Sequence, residues 1–164
     1  MKISMKMKIR FMAISLLLCA FSACSSTDDN EQKDMEMPVI SNKNIVANPI
    51  DCQQYHRGEV IPFHYLLTDN MELGAYNIEV HNNFDHHTHS TSATDCALDV
   101  KKKPVHPWVY NQDFTIPAGQ RSFDARQDIV IPTDIDPGDY HFMIRLTDRA
   151  GWQQLYSVAI KIVE

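Results

Sequence analysis

Large apolar residues recur every second position along most of this chain. They fall at Ile61, Phe63, Tyr65 and Leu67, and again at Tyr76, Ile78 and Val80. They return at Tyr140, Phe142, Ile144 and Leu146, and at Tyr156, Val158, Ile160 and Ile162. Side chains alternate across a β-strand, so this period marks strands with one buried face. Weaker strands are expected at Val39–Ile40, Trp108–Thr115 and Phe123–Ile131. Turn residues separate the runs at Asp69-Asn70, Ala118-Gly119, Asp136-Pro137-Gly138 and Arg149-Ala150-Gly151. No amphipathic helical pattern competes with them after residue 23.

About seven short strands in roughly 110 residues predict an all-β fold, an immunoglobulin-like antiparallel β-sandwich. Val60–Thr68 and Ala75–His81 take the second and third places in such a fold. Gln127–Ile131, Tyr140–Thr147 and Gln153–Ile162 take the fifth, sixth and seventh. Pro137-Gly138-Asp139-Tyr140 resembles the tyrosine corner that opens the sixth strand. The stretch from Asn82 to Pro107 is a long insertion after the third strand, and loops of that length are usually functional or disordered.

The 164 residues divide into three parts. Residues 1–23 read as an export signal. Lys2 to Arg10 is the basic part and Phe11 to Phe21 the apolar core, too short for a membrane-spanning helix. Ser22-Ala23 places small residues before Cys24, as at a bacterial lipoprotein cleavage site, so Cys24 is expected to carry the lipid. Residues 24–37 are polar and acidic, which suits a flexible tether. Residues 38–164 hold the sandwich.

Four of the 15 cationic residues lie in the signal, which leaves 11 against 21 acidic residues and a formal charge of −10. A nucleic-acid partner needs a basic footprint, and the chain lacks one. With five glycines and no glycine-rich phosphate loop, nucleotide chemistry is also excluded.

Eight histidines remain to be explained. Tyr76, Ile78 and Val80 face the core, so His81 faces out; the same reasoning turns His141 out beside Tyr140 and Phe142. The third and sixth strands are antiparallel neighbours in this fold, which makes His81 and His141 cross-strand neighbours on one face. Asp85-His86-His87-Thr88-His89 follows directly and delivers three more imidazoles to the same end. His56, just before the second strand, approaches from the side. Neutral imidazole is the commonest nitrogen ligand of transition metals, and Asp85, Asp134 or Asp136 can add an oxygen. The expected metal set is therefore His81, His141, His86, His87, His89 and His56. Asp85 and His64 are secondary candidates, although His64 faces out from the opposite sheet. His106, between two prolines, reads as an ordinary loop residue. Imidazole must be neutral to bind, so affinity should fall as pH drops through about 6.5.

With Cys24 lipidated, Cys52 and Cys96 remain in the exported chain. Both map to the histidine-rich end. They are expected to form a disulfide, with thiolate ligation in a mixed site as the alternative.

These residues together resemble a family of Bacteroidota lipoproteins of unknown function with a histidine-bearing immunoglobulin-like domain. The resemblance rests on His56-Arg57-Gly58-Glu59, Phe63-His64, Ile78-Glu79-Val80-His81, Phe84-Asp85-His86-His87-Thr88-His89, Gly138-Asp139-Tyr140-His141 and Leu146-Thr147-Asp148. Many members also carry histidines where this chain has Phe123-Asp124-Ala125-Arg126-Gln127. The resemblance implies no reaction.

The expectation is an outer-membrane, lipid-anchored protein, surface-exposed or else facing the periplasm, that binds zinc, or else copper(II) or nickel, for capture or hand-over. A receptor in the outer membrane would be its partner. The alternative is an adhesion or scaffolding module with incidental histidines. An enzyme is not expected. No His-Glu-x-x-His, no Ser-His-Asp arrangement and none of the further motifs of a copper/zinc superoxide dismutase is found.

Overall fold

Eight strands form among the described residues. They are β1 (Val39–Ser41), β2 (Gln53–His56), β3 (Val60–Thr68), β4 (Leu73–Asn82), β5 (Tyr110–Thr115), β6 (Ser122–Val130), β7 (Gly138–Asp148) and β8 (Gln153–Val163). The computed structural model describes residues 33–88 and 96–164. Among these residues there is no helix. The signal, Cys24 and most of the tether lie outside the described residues, as does His89.

The strands make two sheets, in the orders β1-β3-β6 and β2-β8-β7-β4-β5. The second and fifth strands of the expected fold pair in one sheet, and the third, sixth and seventh in the other, as in an immunoglobulin-like sandwich. All pairs are antiparallel except β2 with β8, which is parallel. Strand β2 is the eighth strand, which the sequence pattern does not reveal. Only Tyr55 of its four residues is buried, so no period can be read from it. Strand β6 runs from Ser122 to Val130, within one residue at each end of the expected Phe123–Ile131, and it extends the fifth strand back from Gln127 through the buried Ala125.

The alternating residues meet between the sheets. Phe63 and Tyr65 of β3 are at most 1% exposed and pack against the other sheet. The Phe63 ring lies 5.9 Å from Phe142 and 6.1 Å from Tyr76. Such offset aromatic contacts add to the burial of apolar area that holds a sandwich together. The tyrosine corner is present: the Tyr140 hydroxyl donates to the Asp136 carbonyl at 2.6 Å and accepts from the Trp108 amide at 3.2 Å. Gly138 has φ of +133°, and a Cβ there would meet Phe84 at 3.0 Å. The corner therefore needs glycine for both its backbone and its space.

Candidate metal centre

Two strands supply the rigid part of the site. His81 of β4 pairs directly with His141 of β7 on the outer face of the five-stranded sheet. The neighbours Val80 and Phe142 are fully buried, and this fixes which way the two imidazoles turn. The ring centroids are 5.5 Å apart.

The chain then folds back over this pair. Phe84, 3% exposed, packs edge-on against Tyr140 with ring centroids 5.3 Å apart, and the Lys102 ammonium sits 4.4 Å from its centroid. The Asn83 amide donates to the Asp139 carbonyl at 2.8 Å, and the His86 amide to the Asn83 carbonyl at 3.1 Å. His86 takes a left-handed conformation, φ +60°. The buried phenyl ring and this reversal swing His87 back toward the sheet. Its ring centroid lies 5.4 Å from that of His81 and 5.1 Å from that of His141.

The atoms that meet are specific. His87 Nε2 lies 3.3 Å from His81 Nε2. The Nδ1 atoms have other neighbours: His87 Nδ1 lies 2.5 Å from Asp85 Oδ1, and His81 Nδ1 approaches Glu79 Oε1 to 3.0 Å without hydrogen-bond geometry. An ionised carboxylate only accepts hydrogen bonds, so His87 Nδ1 carries a proton, and in the neutral ring the His87 Nε2 lone pair faces His81. A proton on His81 Nε2, or a cation between the two nitrogens, fits that lone pair. Two nitrogens on a tetrahedral zinc, each about 2.0–2.1 Å from the ion, stand about 3.3–3.4 Å apart. The Asp85 carboxyl is held below its ordinary range, chiefly by the hydrogen bond from His87. Carboxylate, imidazole and metal in series is the arrangement that fixes a ligand's tautomer and raises its basicity.

His141 is near but differently engaged, with Nε2 3.2 Å from the His87 carbonyl oxygen. The structure thus brings together His81, His87 and His141, with Asp85 behind His87. Among the described residues, it does not bring the other candidates to this point. His86 Nε2 contacts the Asp99 carbonyl at 2.9 Å. His56 ends β2, level with Val163, and its Nδ1 contacts the Glu164 carbonyl. His64 lies in the other sheet, its Nδ1 2.9 Å from the Val46 carbonyl and its Nε2 2.6 Å from Asp124. Asp134 is exposed, and Asp136 accepts from the Val105 and His106 amides at 2.7 and 2.8 Å. Glu79 is the residue that sequence reasoning missed. Its position two before His81, on the same strand face, was the available signal.

Cys52 and Cys96 form a disulfide, with Cα atoms 5.4 Å apart. Their sulfurs are therefore not metal ligands. The bridge ties the insertion to the sheet, because the Cys52 amide donates to the Ala159 carbonyl, and Ala159 pairs with His141. Beyond the bridge, Asp99 and Asp139 share Lys161, at 2.7 and 3.3 Å. The insertion is thus pinned at Cys96 and at Asp99, in addition to the buried Phe84.

No curated protein matches the chain. One family model, described as a domain of unknown function (DUF4625), matches residues 22–163, a span that includes every strand and every histidine of the site. By that match the chain belongs to the DUF4625 family.

Proposed function

We propose that this protein is an outer-membrane lipoprotein that binds a transition metal, zinc first, for capture or hand-over. The observation that carries the reading is the approach of His81 Nε2 and His87 Nε2 to 3.3 Å with a carboxylate behind each ring. His81 is held by a strand and His87 by a loop. A site of one rigid and one movable half can close on a metal and open to release it, with loop ordering as the cost of closure. His141, and His89 on the same loop, are the candidates for further ligands. Imidazole also suits copper(II) and nickel, and affinity order alone favours copper.

The location rests on residues 1–37. The basic and apolar segments before Cys24 and the acidic stretch after it support a lipid-anchored, surface-exposed protein of the Bacteroidota type, with an outer-membrane receptor as partner. Cys24→Ser should release the protein from membranes, and retention in the outer-membrane fraction would contradict the anchor.

The metal is tested by titrating protein purified without a histidine tag with zinc, copper(II) and nickel, alone and in competition. One tightly held equivalent, lost when His81 is replaced, is expected. Absence of any stoichiometric binding would overturn the reading and leave an adhesion module.

A further inference from the structure

The pole of the sandwich opposite the histidines carries a second constellation. Asp69 follows β3, Asp148 ends β7, and Asp34 precedes β1. Asp148 lies seven positions beyond His141 along β7, about 24 Å of strand. One ligand atom from each of the three carboxylates lies within 4.8 Å of the other two. Three points no farther apart than 4.8 Å share a centre within about 2.8 Å of each, close to the calcium–oxygen distance of about 2.3–2.6 Å.

Burial separates this group from an ordinary acidic surface. Asp148 is 4% exposed. Its Oδ1 accepts the Trp152 amide at 2.8 Å, and its Oδ2 is buried with no hydrogen-bond partner. Asp69 repeats the pattern. Its Oδ1 accepts the Met71 and Glu72 amides at 2.8 and 2.7 Å, and its Oδ2 is also buried without a partner. With Oδ1 engaged on the backbone, Oδ2 is the oxygen each carboxylate has left for a ligand. Burying an anionic oxygen without a donor is costly, and two at one place compound the cost.

No ion pair to Asp34, Asp69 or Asp148 is present among the described residues. Two neighbouring cations are engaged elsewhere. Arg149 pairs with Glu72 at 3.3 Å, and Arg121 donates to the Met71 carbonyl at 2.9 Å. The backbone is also closely packed here: a Cβ on Gly74 would meet the Thr147 and Asp148 carbonyl oxygens at 2.9 Å. The Asp148 carboxylate therefore sits on a fixed support.

We infer that Asp34, Asp69 and Asp148 form a binding site for a hard divalent cation, calcium by its all-oxygen donor set. Three carboxylates at an irregular junction of loops suit the flexible coordination of calcium better than the strict octahedron of magnesium. The site joins the segment that enters the sandwich to its base. Asp34 already touches that base through its carbonyl, which accepts from Trp152 Nε1 at 3.1 Å. Calcium would fasten the same segment through its side chain.

The test is calorimetric titration of the full-length protein, stripped with chelator, with calcium chloride, alongside thermal unfolding. One calcium per chain and a rise in Tm of several degrees are expected. Asp148→Asn keeps the Oδ1 acceptor, and Asp34→Ala removes only one exposed hydrogen bond, to the Glu36 amide. Each should weaken calcium at least about tenfold while the circular dichroism of the calcium-free protein stays that of the parent. His81→Ala should bind calcium as the parent does, which separates this site from the histidine centre. Two results would overturn the inference: no heat and no Tm shift at about 5 mM calcium, above the range of weak extracellular sites, or Asp34→Ala binding as tightly as the parent. Should Asp148→Asn not fold, Asp34→Ala decides by the same results.

Discussion

His81 and His87 approach through their Nε2 atoms at 3.3 Å, while Asp85 holds Nδ1 of His87 and Glu79 lies 3.0 Å from Nδ1 of His81. Neither ring is placed by chance. The first is fixed by strand pairing and the burial of Val80, the second by the anchoring of Phe84 and the reversal at His86. A surface histidine without these supports would sample many rotamers and meet a metal only at an entropic cost.

Replacement of either ring should therefore be severe. His81→Ala or His87→Ala is expected to weaken zinc by more than about 100-fold, the upper end for loss of an orienting partner. His86→Ala should leave affinity unchanged, because its imidazole is turned to the Asp99 carbonyl. Competition against a zinc-binding dye measures all three. Equal losses across the three variants would mean a flexible histidine tract with no defined pair.

Glu79→Gln separates orientation from ligation. The amide retains the size of the carboxylate and loses its charge, so it no longer favours the Nδ1–H tautomer of His81. Zinc affinity should fall about 10–100-fold with little change in Tm. An unchanged affinity would show that Glu79 does not orient the ligand.

The Cys52–Cys96 bridge spans 44 residues of sequence and includes β2, β3, β4 and the first part of the insertion. Closing such a loop typically contributes about 2–4 kcal/mol, mainly by restricting the unfolded chain. Cys52→Ala with Cys96→Ala should lose that amount in denaturant unfolding and weaken zinc as well, since the insertion loses one of its two anchors. A variant as stable as the parent would contradict the role given to the bridge.

Asp136 supplies a pH-dependent contact. Its carboxyl is held below the ordinary range, first by the Val105 amide and then by the His106 amide, with Lys102 and His106 adding favourable charge. A carboxyl lowered in the folded state stabilises that state fully above its unfolded pKa, about 3.9, and the contribution is lost as pH falls below it. Protection of the Val105 and His106 amides, relative to their intrinsic exchange rates, should therefore fall as pH drops below about 4. In Asp136→Ala the same amides should exchange fast already at neutral pH. Exchange in the parent that shows no such step would remove Asp136 as the anchor of this turn.

The architecture was legible wherever burial imposed a period on the sequence. Strand β3 was read at its observed bounds, because Ile61, Phe63, Tyr65 and Leu67 all reach the core. The pairing of His81 with His141 followed from the same alternation. Strand β2 was invisible, since four residues with one buried side chain carry no period. The loop was harder still. The sequence could bring His86, His87 and His89 to one end, but not select among them. The turn at His86 depends on the burial of Phe84 against Tyr140, a contact between residues far apart in the chain. Glu79 was overlooked because a carboxylate on an outward strand face is ordinary until its neighbour is known. The acidic junction of Asp34, Asp69 and Asp148 has no sequence signature, as its members come from three separate connections.

The most direct test of the histidine centre is an anomalous difference map at the zinc absorption edge, from crystals of the protein grown with one equivalent of zinc. A single strong peak is expected within about 2.1 Å of both His81 Nε2 and His87 Nε2. A zinc peak elsewhere, with these two nitrogens uncoordinated, would contradict the account.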